Sequence, residues 1–170
     1  IMLTRKSGKI FFLYALILFF LCTLPFVSKV IPSQSGDLNC TARAIMHFED
    51  TVTETVNANV HFRFGDRGKG SLVVEGYSDS KAGWLYLQRY VQFDYTSERV
   101  SGYERHYQVH SWSSTKSSID ESPDVLFDYF MREMSDSHDE LLIKVEKLSY
   151  RTVLLSSINS PLFVCALSDK

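Results

Sequence analysis

No Gly-x-Ser-x-Gly elbow, Walker loop, dinucleotide fingerprint or His-Glu-x-x-His occurs in the 170 residues. Each absence removes a reaction class that needs its residues at that spacing. Gly65, Gly68 and Gly70 resemble a phosphate loop in composition alone. No Lys-Ser/Thr ends the segment and no helix follows, so it reads as a hairpin turn. Metal-ligand spacing is also missing. His106 and His110 fall on one face of a predicted strand, but four residues of strand span about 13 Å, too far to share an ion. His47 and His61 fall in separate strands. The acid pairs Glu49-Asp50 and Asp120-Glu121 fall in predicted loops and read as solvated. The expectation is a protein that is not an enzyme and uses neither a cofactor nor a metal.

Basic surface is scarce too. The first 31 residues hold four of the 18 lysines and arginines and none of the 20 acids, which leaves a net charge of about −6 on the remainder. With no basic run, that balance argues against nucleic acid and against anionic head groups as partners for this part. No internal repeat or low-complexity segment is present.

What stands out instead is Ile10 to Val27, eighteen residues without a charge. About 20 apolar residues at about 1.5 Å each cross a bilayer, so this run predicts a transmembrane signal anchor over 10–31. Arg5, Lys6 and Lys9 precede it, which predicts a cytoplasmic tail over 1–9 and an exported remainder. The alternative, a cleaved signal peptide, fits less well. The apolar region is long, and Leu24-Pro25-Phe26-Val27 offers no pair of small residues for a cut.

Three cysteines are present. Cys22 lies inside the apolar run and reads as an inert thiol. Cys40 and Cys165 sit at opposite ends of the exported part, where an oxidising compartment favours a disulfide between them. Two unpaired buried thiols are the alternative.

Residues 32–39 (PSQSGDLN) read as a tether and 40–170 as one domain. That domain is mainly β. Val56, Ala58, Val60, Phe62 and Phe64 alternate with polar residues, the period of a half-buried strand. The segment 65–70 turns the chain into a strand over 71–74, and 77–83 reads as a loop. Further strands are predicted near 41–48, 84–96, 103–112, 140–148, 151–158 and 162–167. Ser122 as N-cap, Pro123 in the first turn and Asp124 at the dipole's positive end predict one amphipathic helix over 122–135. Its apolar arc, Leu126, Phe127, Phe130, Met131 and Met134, should pack on the core or on a partner. About eight antiparallel strands and one helix fit a small barrel or strongly curved sheet, with a flat sheet carrying the helix on one face as the competing arrangement.

Aromatic residues mark candidate ligand- or partner-facing strand faces, with a solvent-facing sheet decorated with tyrosines as the alternative. Trp84, Tyr86 and Tyr90 share one face of their strand, and Tyr103, Arg105 and Tyr107 share one face of the next. Rings with polar tips suit amphipathic ligands or protein interfaces.

Several segments, taken together, resemble the FidL-like family of small enterobacterial inner-membrane proteins. They are Cys40, Gly68-Lys69-Gly70-Ser71-Leu72, Gly76, Arg89-Tyr90-Val91-Gln92-Phe93-Asp94-Tyr95, Asp120, Pro123-Asp124-Val125-Leu126-Phe127 and Ser160-Pro161-Leu162-Phe163-Val164-Cys165. The resemblance implies a single-pass protein of the bacterial inner membrane with a lipocalin-like periplasmic barrel. It also implies a partner, a membrane-anchored ToxR-like winged-helix regulator, in the manner of ToxS and VtrC. A bile salt or other amphipathic small molecule is the ligand it implies, with no direct contact to nucleic acid. A ligand-free assembly factor of the inner membrane is the rival expectation.

Overall fold

In a computed structural model, the structure describes residues 37–49, 53–81, 83–135 and 141–168. The expected tail and anchor, and most of the tether, lie outside these residues. Among the described residues no helix is long and apolar enough to cross a membrane.

Eight antiparallel strands close into a barrel in sequence order: β1 Leu38–Glu49, β2 Thr53–Phe64, β3 Lys69–Ser80, β4 Gly83–Arg99, β5 Glu104–Lys116, β6 Leu141–Lys147, β7 Thr152–Ser156 and β8 Pro161–Leu167. One helix, α1 (Asp124–Met134), connects β5 to β6. The barrel, rather than a flat sheet, is the architecture, and the core is mainly β with a helical component.

The inward positions form rows across β1 to β4 by register. Leu38, Phe64, Gly70 and Phe93 make one row, and Cys40, Phe62, Leu72 and Val91 the next. Ala42, Val60, Val74 and Arg89 follow, then Ala44, Ala58, Gly76 and Leu87. Bulk therefore concentrates near the start of β1, where Phe64 lies 5.4 Å from the Phe93 ring and 4.0 Å from that of Tyr107. The fourth row is small, and towards that end α1 supplies the bulk. Its five predicted apolar residues, Leu126, Phe127, Phe130, Met131 and Met134, are all buried in the barrel's own core. Burying each such side chain is worth about 1.5–3 kcal/mol, so core packing fixes the helix more than its intrinsic propensity.

Three predicted boundaries move. The strand expected to begin after the tether begins inside it, because Leu38 already faces the core opposite Phe64. The expected loop over 77–83 is mostly strand. β3 continues to Ser80 because Tyr77 pairs with Tyr86 and Ser78 turns inward. Ser122 does not cap α1; Pro123 holds the N-cap position, and the Ser122 hydroxyl donates to Asp120 Oδ1 at 2.6 Å.

Candidate functional site: a half-open seam

Barrel closure rests on a short contact. β1 and β8 pair only at Cys40–Leu167 and Thr41–Ala166. The Cys40–Cys165 disulfide, with Cα atoms 5.6 Å apart, staples the same place, so the predicted bridge is present. From Ala42 onward the two strands diverge, and α1 approaches the gap. The Tyr129 ring lies 5.6 Å from that of Phe48 on β1, and the Phe130 ring 6.4 Å from that of Phe163 on β8.

The divergence leaves a cavity of about 390 Å³. Met46 and Phe48 of β1, Leu162 and Phe163 of β8, and Phe130 and Met134 of α1 line it. His47, Glu133 and Ser160 also line it. Pro161, at the mouth, removes one backbone N–H from the β8 edge. A lining that mixes apolar side chains with His47, Glu133 and Ser160, at a volume within the usual range for small-molecule sites, suits an amphipathic ligand. A larger hollow of about 740 Å³ lies over Arg63, Arg67, Lys69, Gln92, Asp94 and Ser113. It is wider, and Lys69 is already paired with Asp94 at 2.7 Å. Its shape encloses less of a ligand, so the seam is the stronger candidate.

A buried polar clamp holds the segment that leads into α1. Arg89, an inward residue of β4, donates through Nε to Asp120 Oδ2 at 2.6 Å and through its guanidinium to the Ser122 carbonyl at 3.3 Å. The same Nη2 that reaches the Ser122 carbonyl lies 2.8 Å from Asp124 Oδ1, and the guanidinium sits 5.4 Å above the Phe127 ring. Asp120 also accepts from the Gln88 N–H at 2.9 Å and the Ser122 N–H at 2.8 Å. Burial pushes the Asp120 carboxyl up, but the hydrogen bonds from Ser122, Gln88 and Arg89 outweigh it and hold the group below the usual aspartate range. Asp120 is therefore not the solvated loop acid that its position suggests. The pairing fastens the segment that leads into α1 to the inward face of β4.

The six predicted contact residues do not form one surface. Trp84, Tyr86 and Tyr90 lie on the outer face of β4, where Tyr86 stacks edge-on against Tyr77 at 5.5 Å and donates to Glu75 at 3.0 Å. Tyr103 stands exposed in the turn before β5, and Arg105 donates to Ser97 Oγ at 3.2 Å. Tyr107 is buried in the core, where burial pushes its phenol up to about 12. Of the histidines, His61 bonds to Thr41, His47 to Thr55, His110 to Thr96 and His106 to Glu104. Among the described residues no three potential ligands converge on a metal position.

Sequence reasoning passed over Arg89. Its signal was parity, since it sits between Leu87 and Val91 on the inward face.

These features define a small antiparallel β-barrel with a stapled, half-open seam and a helix at its opening. Residues 76–165, just over half of the chain, match the family described as "FidL-like putative membrane protein", and the chain belongs to that family. No curated protein matches it.

Proposed function

We propose that this chain is the periplasmic sensory co-component of a membrane-anchored ToxR-like winged-helix regulator, spanning the bacterial inner membrane once with its N-terminus in the cytoplasm. In this reading an amphipathic small molecule such as a bile salt enters the seam between β1 and β8. The observation that carries the proposal is the seam's mixed lining, in which Met46, Phe48, Leu162 and Phe163 stand with His47 and Glu133. A ligand there shifts the pair's equilibrium by as much as it prefers one arrangement of β1, β8 and α1 over another. The exported part carries no catalytic motif and no basic surface, so the message passes inward through the partner.

Co-purification of the full chain with a ToxR-like winged-helix regulator from the same organism, followed by calorimetry against a bile-salt panel, tests this. Binding heat that disappears in Leu162→Trp, which fills the cleft, is the expected result. No co-purification and no heat would sink both halves of the reading.

A second reading is a ligand-free assembly factor of the inner membrane. It is favoured by the packed interior, where Phe62, Phe64, Phe93, Tyr95 and Tyr107 occupy the space a lipocalin-like ligand would take. A seam ligand does not require that space.

A further inference from the structure

The turns at one end of the barrel collect exposed apolar side chains that neither the core nor the seam uses. Val100 and Tyr103 lie in the β4–β5 turn, and Leu148 and Tyr150 in the β6–β7 turn. Tyr103 and Tyr150 are 74% and 81% exposed, the most exposed large hydrophobic residues among those described. Backbone hydrogen bonds bring these turns together. The Lys147 N–H donates to the Tyr103 carbonyl at 2.8 Å, and the Leu167 N–H to the Arg151 carbonyl at 2.8 Å. The Ser168 N–H donates to the Asn39 carbonyl at 2.9 Å, which places the start of β1 at the same end.

That placement names the occupant. The chain enters the domain at Leu38, eleven residues after the last residue of the apolar run, Val27. Eleven residues reach at most about 40 Å when fully extended, and less in any relaxed conformation. A domain tethered that closely by its β1 end presents the same end to the bilayer. We propose that this end of the barrel rests on the membrane surface, with Val100, Tyr103, Leu148 and Tyr150 in the head-group layer. Tyrosine suits that layer because its ring is apolar and its hydroxyl wet. The contact is apolar rather than electrostatic: Arg67, Arg99, Lys147 and Arg151 at this end are matched by Asp37, Asp66, Glu98 and Glu146. It therefore agrees with the domain's net negative charge and needs no anionic lipid. The inference rests on anchoring through Ile10–Val27, not on a regulator or a bile salt.

The test uses the full chain carrying Cys22→Ala, with the disulfide intact. Nitroxide labels are placed singly at Leu148→Cys and Tyr103→Cys, with Tyr77→Cys and Ile119→Cys as controls away from this end. The protein is reconstituted into phosphatidylcholine vesicles and into phosphatidylethanolamine–phosphatidylglycerol vesicles. Power-saturation electron paramagnetic resonance then compares access to oxygen and to a water-soluble nickel complex. A several-fold higher oxygen-to-nickel ratio at 148 and 103 than at the controls, in both lipids, is expected. Labels as nickel-accessible as the controls would overturn the proposal. So would labels shielded from both reagents, which would mean a second copy covers this end. An effect confined to anionic vesicles would overturn the apolar contact.

Discussion

Arg89 Nε stands 2.6 Å from Asp120 Oδ2, and neither side chain is more than 6% exposed. The pair joins the inward face of β4 to the segment that leads into α1. Removing one partner strands a buried charge, which costs about 3–5 kcal/mol. Asp120→Ala should therefore lower stability by about that amount in urea melts of the detergent-solubilised chain, and the Arg89→Met/Asp120→Ala pair by clearly less than the two single changes summed. A near-neutral Asp120→Ala would show that Asp124 and Ser122 suffice to hold Arg89.

The same pair sets an acid limit. Asp120 titrates lower in the folded chain than in the unfolded one, so its contribution is complete above the ordinary aspartate value and is lost as pH falls through the folded value. Stability should hold on acidification to about pH 4 and then decline. In Asp120→Asn that acid limb should flatten, which thermal melts across pH would detect.

Reducing the Cys40–Cys165 bridge releases a loop spanning 125 residues in sequence. The chain-entropy model assigns such a loop on the order of 4–5 kcal/mol, often less in practice. Because β1 and β8 pair at so few positions, amide exchange along β1 should accelerate first on reduction. Uniform exchange across all strands would contradict this.

Gly76 pairs with Ala58 so closely that a Cβ would overlap the Asn57 carbonyl oxygen and the Ala58 Cα. These are backbone atoms and cannot swing aside. Gly76→Ala should cost about 1–3 kcal/mol or shift the β2–β3 register. A melting temperature equal to that of the parent would refute the crowding.

Ser78 Oγ is fully buried on the inward face of β3 and has no hydrogen-bond partner among the described residues. An unpaired buried hydroxyl is unfavourable, so Ser78→Ala should leave stability unchanged or raise it by up to about 1 kcal/mol. A loss larger than that would reveal a bonded partner or a cavity cost.

Much of the fold was legible where one face is buried and the other wet. The β2 alternation from Val56 to Phe64 reads directly as inward and outward positions, and the apolar arc of α1 reads as a packing face. Parity alone does not tell how far a strand stays within the barrel. Tyr103, Arg105 and Tyr107 share a face, yet only Tyr107 is deep enough to meet Phe64. Asp120 was misread because its partner lies 31 residues earlier, on a strand whose other inward residues are apolar. The seam was not legible at all. It depends on where β8 leaves β1, which is decided by the bulk of α1 and the short pairing around Cys40 rather than by any local pattern.

The position of Cys40 also decides how the domain bears load. Tension applied from the N-terminal side of the domain reaches Leu38 first and meets the bridge two residues later. Pulling cannot unzip β1 from its free end, because the force passes through sulfur into β8 and from there into β7. The domain is thus gripped by both termini of its barrel at once, and a pull at Leu38 moves it as a body instead of peeling its first strand.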